Sequence, residues 1–98
     1  MKRVAVYCGS ASPLDPRYVE LAQDVGEALA RRGIGVVYGG GRLGLMGAVS
    51  QAALQAGGEV IGVIPEAMVS REIANLDCTE LRVVKGMHER KLGFTQLA

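Results

Sequence analysis

The stretch VVYGGGRLGLMG, residues 36–47, sets five glycines between two apolar runs. Glycine loses more backbone freedom on folding than any other residue. A cluster of it marks a place where the chain turns tightly or lets something approach its backbone. The run before it, IGVVY at 34–38, has the length and β-branching of a strand. After it Leu45, Val49, Ala52, Ala53 and Ala56 recur at helical spacing, and Gly57-Gly58 stops them. The glycines therefore fall where a strand ends and a helix begins.

The same alternation continues in both directions. VAVYC at 4–8 is a short apolar strand, broken by GSASPLDP. Asp15-Pro16 suits a helix start, because Asp caps and Pro fits the first helical position. Tyr18, Leu21, Ala22, Val25, Ala28 and Leu29 follow at helical spacing, up to a stop at Gly33. Downstream, VIGVI at 60–64 is a third strand closed by Pro65. Residues 65–78 are irregular with room for one helical turn, 81–84 form a fourth strand, and GMHERKLGFTQLA reads as a helix. Strands alternating with helices of this length imply an α/β domain built on an open parallel sheet. Near-continuous apolar strands imply helices on both of its faces.

The 98 residues suffice for a single domain. Eleven basic and ten acidic side chains leave a net charge of +1, with no polybasic footprint for nucleic acid or a membrane surface. Three tyrosines, one phenylalanine and no tryptophan make a base-stacking platform equally unexpected. Cys8 and Cys78 lack CxxC partners, so no metal site is indicated, and both read as reduced thiols of a cytoplasmic protein. The apolar run of MKRVAVYCGS is too short for a signal peptide, and nothing approaches the ~20 apolar residues of a membrane span.

At the carboxyl edge of an open α/β sheet, where ligands bind, Gly39-x-Gly41-x-x-Gly44 matches GxGxxG with a strand before and a helix after. Uncovered N–H groups at the helix start, with no Cβ atoms in the way, suit a phosphate. A tight turn with close helix–sheet packing is the alternative. A dinucleotide reading fits poorly, because the motif follows the second strand and Glu59 begins the next strand instead of ending it. Gly9 and Ser10, after the first strand, would lie beside the glycines if the two strands are neighbours. The Ser10 hydroxyl then serves a phosphate or ribose, or simply caps a turn. In the last helix Met87, Arg90, Lys91, Phe94, Leu97 and Ala98 share one face. Arg90 and Lys91 in that inward stripe need an anion, such as a nucleotide phosphate, or else reach water or pair with Glu66, Glu72 or Glu80. His88, the single histidine, falls off the stripe and reads as solvated.

Taken together, YCGSAS, YGGGRLGLMG, AGGEVIGVIPEAM, TELRVV and GMHERK resemble the LOG (Lonely Guy) family of nucleotide hydrolases. The resemblance runs over nearly the whole chain. It implies a Rossmann-like fold, a homodimer, no cofactor, and hydrolysis of the N-glycosidic bond of a nucleoside 5′-monophosphate to a free base and ribose 5-phosphate. Cytokinin riboside monophosphates and AMP are the implied substrates. It also makes Arg90 the catalytic arginine and Lys91 a nucleotide contact. Gly9, Ser10, Gly39, Gly40, Gly41, Gly44 and Met87 would line the same pocket. The bond breaks through an oxocarbenium-like state that a carboxylate stabilises while helping to activate water.

The second signature of that family, PGGxGTxxE, would follow GMHERK and supply the catalytic glutamate. It lies beyond Ala98, so the expectation is the first half of a domain about twice this length, cut after the fourth strand and its helix. Gly93, weak in a helix, and an open edge on the fourth strand agree with that. Glu72 or Glu66 in the 65–78 segment could stand in for the glutamate, although solvated loop carboxylates fit them as well. Three readings follow: a hydrolase of this type, a nucleotide-binding module without catalysis, or a remnant that folds only with a partner.

Overall fold

The strands pair in the order in which the chain makes them. In the computed structural model, which describes residues 2–7, 15–70 and 73–98, β1 (Arg3–Ala5), β2 (Gly35–Tyr38), β3 (Val60–Pro65) and β4 (Glu80–Val84) form one parallel sheet in the order β1-β2-β3-β4. Val36 lies opposite both Val4 and Val60, and Val63 opposite Arg82. Parallel neighbours need crossovers. Two of these are helices, α1 (Pro16–Arg31) and α2 (Gly44–Gln55). The third is an irregular connection that opens with a 3₁₀ turn at Glu66–Met68. A last helix, α3 (Met87–Leu97), follows β4.

Every residue of β2 and β3 is buried, as both faces of the sheet are covered. Alternate side chains go to opposite sides. Val36, Tyr38 and Val60 pack with Met46 and Ala53 under α1 and α2, whereas Val37, Ile61 and Val63 pack with Phe94 under α3. The expected α/β sheet with helices on both faces is the observed one. The edge strands are only half-covered, and β1 is shorter than the expected run of 4–8. Its ladder persists one residue past Ala5, through the Val6 N–H to the Val37 carbonyl at 2.8 Å.

The stop and start signals act locally as their chemistry requires. The Asp15 carboxylate accepts the Arg17 N–H at 2.9 Å as the α1 cap. The Arg17 guanidinium beside it holds the Asp15 carboxyl below its ordinary range. Gly33 turns the chain out of α1 at φ +70°. Deep in α1, Gly26 touches α2 so closely that a Cβ would overlap the Val49 carbonyl oxygen. Glu59 lies at the amino edge of the sheet, where it holds Arg3 through Nε at 2.8 Å and Nη2 at 3.2 Å. That hydrogen bond lowers the pKa of Glu59. Its contribution is present at neutral pH and is lost as pH falls through the folded-state value. Glu59 thus sits at the opposite edge from the one where a dinucleotide ribose would need it.

Candidate functional site

The glycine stretch leaves β2 at the carboxyl edge and enters α2. Gly40 takes φ +83°, and its Cα lies 2.7 Å from where a Cβ on Gly62 of β3 would stand. Two glycines meeting back to back let the loop cross directly over the sheet. Gly44 begins α2 at φ +58°. Among the described residues no side chain caps that helix, so its first N–H groups are left without a side-chain acceptor there.

The loop is fixed from behind by the β3–β4 connection. Gly41 bridges to Ala74, the Asn75 N–H donates to the Gly40 carbonyl at 2.8 Å, and the Arg42 N–H donates to the Ile73 carbonyl at 2.9 Å. Ile73 holds φ +48°, a costly conformation for a β-branched residue. Beneath the loop lies a fully buried polar set. Asn75 Nδ2 donates to Ser50 Oγ at 3.1 Å, Ser50 donates to the Gly47 carbonyl at 3.2 Å, and the Tyr38 hydroxyl donates to the Gly41 carbonyl at 2.9 Å. Burial pushes the Tyr38 hydroxyl and the Cys78 thiol upward, so both stay neutral near pH 7. No residue-type pattern in the sequence marks Tyr38, Ser50 or Asn75, because they meet only in the folded chain. Asn75→Ala should keep the backbone bond to Gly40 but lose the side-chain bonds to Ser50 Oγ and from the Asp77 N–H, and destabilise the fold by about 1–3 kcal/mol. The check is a lowered urea midpoint at unchanged slope.

Arg90 reaches this edge from the first turns of α3, on the opposite face of the sheet. It is 7% exposed. Nε donates to the Val63 carbonyl at 3.0 Å and Nη2 to the Gly39 carbonyl, while Nη1 meets the thioether sulfurs of Met68 at 3.7 Å and Met87 at 3.9 Å. A Cβ on Gly39 would overlap Nη2, so a side chain there would displace the guanidinium. The guanidinium is thus threaded between the carboxyl ends of β2 and β3 and faces a cavity of about 200 Å³. Val6, Tyr7, Gly39, Met46, Met87, Arg90, Lys91 and Phe94 line it. Tyr7 stands edge-on to Phe94, with ring centroids 5.2 Å apart.

The structure brings together Gly39, Met87, Arg90 and Lys91, with Gly40, Gly41 and Gly44 forming the adjoining loop. Two of these differ from the expected inward stripe. Lys91 and Met87 are exposed, because only Arg90 and Phe94 of α3 point fully into the sheet. Lys91 therefore keeps its charge in water and meets the cavity at its rim. Met68 and Tyr7 are additional neighbours that the sequence reading did not single out. Gly9, Ser10 and Glu72 lie outside the described residues. Among the described residues no carboxylate lines the cavity. A larger groove of about 630 Å³ runs along α1 and α2, with Gln23, Glu27, Arg31 and Gln51 in its walls. Glu27 and Arg31 pair with each other there, and nothing converges on the groove as Arg90 and the glycines converge on the smaller cavity.

This arrangement coincides with the segment by which the chain is related to known proteins. The model of the SLOG cluster4 family matches residues 2–93. The chain belongs to the SLOG cluster4 family. Its SLOG relatives include the cytokinin riboside 5′-monophosphate phosphoribohydrolase LOG of Oryza sativa subsp. japonica, 46% identical over 99% of this chain and 40% of its own length. The cytokinin riboside 5′-monophosphate phosphoribohydrolase of Mycobacterium marinum is 52% identical over 90% of this chain and 46% of its own length. The chain thus spans less than half the length of either relative. Among solved structures, TM1055 superposes at TM-score 0.77 with 27% identity, over the whole of this chain and 57% of that one. The molybdenum cofactor carrier protein from Chlamydomonas reinhardtii superposes at 0.70 with 24% identity, over 86% of this chain and 49% of that one, a likeness of fold alone. The SLOG glycine loop and the Arg90 helix both lie inside the matched residues.

Proposed function

We propose that the chain carries part of the nucleotide site of a phosphoribohydrolase, which cleaves nucleoside 5′-monophosphates of the cytokinin riboside or AMP type. The observation that carries this reading is the convergence, on one carboxyl edge, of the Arg90 guanidinium and the start of α2, which no side chain among the described residues caps. Both favour a phosphate, through charge-assisted donors and through the helix N-terminus. The relatives named phosphoribohydrolases support the same reading. The homodimer and the cytoplasmic setting that the resemblance implies belong to it too. Among the described residues no helix is long and apolar enough to cross a membrane.

In this reaction water adds to C1′ of the ribose as the C1′–N bond breaks. The electron pair leaves with the base nitrogen, and the proton released by water ends on the base. The ribose ring carries positive charge in between. Arg90 and the loop amides, which attract anions, therefore belong at the phosphate and not at C1′. Gly39–Gly41 let the 5′-phosphate approach the backbone, and Lys91 adds charge at the rim. Met46, Met87 and Phe94 keep water from the guanidinium, which strengthens its hold on an anion.

A second reading, a binding module without catalysis, is favoured by the lack of a carboxylate among the described residues of the cavity. The two part on one experiment. The protein is incubated with AMP and with a cytokinin riboside monophosphate, base release is followed by chromatography, and binding by calorimetry. Free base and ribose 5-phosphate in equal amounts are the expected products. Binding without release selects the module, and absence of binding sinks both readings.

A further inference from the structure

Tyr38 closes an otherwise hydrocarbon strand, where phenylalanine would fill the same space. Its side chain is wholly buried and packs in the cluster of Val36, Met46 and Ala53. A hydroxyl taken out of water there costs free energy unless it is bonded. It is bonded twice. The Gly41 carbonyl, 2.9 Å away, can only accept, so the single hydroxyl proton goes to it. The Cys78 sulfur, 3.5 Å away, is then the donor of the second contact. Protons are thus ordered from the β3–β4 connection, through Tyr38, into the glycine loop.

The carbonyls of that loop are taken up by the protein. That of Gly39 accepts from Arg90 Nη2, that of Gly40 from the Asn75 N–H at 2.8 Å, that of Gly41 from Tyr38, and that of Leu43 from the Gly47 N–H at 3.2 Å. The Arg42 carbonyl lies against Gly47, where a Cβ would overlap its oxygen. Asn75 and Tyr38 stand outside the lining of the Arg90 cavity, so the Gly40 and Gly41 carbonyls are drawn away from it. The direction matters to an anion. A carbonyl oxygen carries partial negative charge and repels a phosphate, whereas the N–H on the other side of the same trans peptide attracts it. A peptide between two glycines turns over with little steric hindrance, so bonds must hold it. Of the donors that hold these carbonyls, Tyr38 and Arg90 act through side chains and the others through the backbone.

We propose that Tyr38 is a positioning residue of the phosphate site, whose hydroxyl holds the Gly41 carbonyl inside the protein and so keeps that oxygen from a bound phosphate. It acts through the loop and not on the ligand. The role rests on the phosphate reading of this edge and adds a source of selectivity to it. A nucleotide gains from the held loop, and the same nucleoside without its phosphate does not. The Arg42 N–H, bonded to the Ile73 carbonyl at 2.9 Å, holds the other end of the Gly41–Arg42 peptide. Loss of the hydroxyl should therefore loosen the loop without freeing it.

Tyr38→Phe removes one oxygen and leaves the ring. Affinities of wild type and variant for inorganic phosphate, AMP and adenosine are measured by titration in amide NMR spectra, which read weak binding and show whether the variant is folded. Tyr38→Phe should weaken phosphate and AMP about threefold to tenfold and leave adenosine unchanged. Glu59→Gln is the control for simple loss of stability. It weakens the Arg3 pair at the opposite edge of the sheet and should leave all three affinities as they are. In the wild type itself, phosphate should shift the Gly40 and Gly41 amide signals. Unchanged phosphate affinity in Tyr38→Phe, an equal loss for AMP and adenosine, the same selective loss in Glu59→Gln, or no wild-type shift from Gly39 to Gly44 would each overturn the proposal. A wild type that binds neither phosphate nor AMP would overturn it together with the phosphate reading. Phosphate binding that Tyr38→Phe weakens, without base release by the wild type, would uphold the role of Tyr38 and remove only the hydrolase.

Discussion

Under the proposed function, Arg90→Ala is expected to cut turnover of nucleoside monophosphates sharply and to loosen the carboxyl edge of the sheet in the same stroke. Two buried carbonyls, those of Gly39 and Val63, would lose charge-assisted donors. Leaving such acceptors unmet costs about 1–3 kcal/mol apiece. The fold should therefore weaken by about 2–4 kcal/mol, measured as a drop in the urea midpoint. Loss of a preorganised donor to the bound anion should lower the rate by about 10²–10³-fold. Arg90→Lys separates the two effects. Its ammonium keeps the charge but cannot span both carbonyls, so stability should recover in part while the rate stays low. His88→Ala is the control, being exposed on the same helix and away from the cavity lining. Equal loss from His88→Ala and Arg90→Ala, or loss from neither, would remove Arg90 from the role proposed for it.

The second large effect is expected far from the site. Alanine in place of glycine inside a helix ordinarily stabilises it by up to about 1 kcal/mol. Gly26→Ala should do the reverse and cost about 1–3 kcal/mol, because its Cβ would overlap the Val49 carbonyl oxygen and push α1 away from α2. The sign of the change in urea midpoint decides the matter. Stabilisation would mean that the two helices part easily, and their close crossing would then not set the position of the glycine loop at the start of α2.

The elements could be read from the sequence because their signals are local. Asp15-Pro16, Gly33 and Gly57 act within one or two residues of themselves, and the alternation of β-branched runs with helical spacing fixes an α/β sheet. The glycines of 39–44 also declared their position, since a strand before and a helix after put them at the carboxyl edge. Arg90 was legible as a charge on an apolar stripe. Its actual partners were not, because Val63 and Gly39 lie 27 and 51 residues away and offer only backbone carbonyls, which carry no residue-type signature. Lys91 illustrates the opposite error. Helical spacing places it next to Arg90, but only Arg90 and Phe94 of α3 are buried against the sheet, and Lys91 turns to water.

What the sequence determined by itself was the kind of fold, the edge at which it works, and through GGGRLGLMG and GMHERK the family to which it belongs. Tertiary structure alone decided the rest. It set the strand order, the face taken by α3, the clamp of Asn75 and Ser50 under the loop, and why Gly26 admits no side chain. The physical reason is one of range. Caps, turns and periodicity are settled by neighbours along the chain, whereas close approach and buried hydrogen bonds are settled by groups that only the folded sheet brings together.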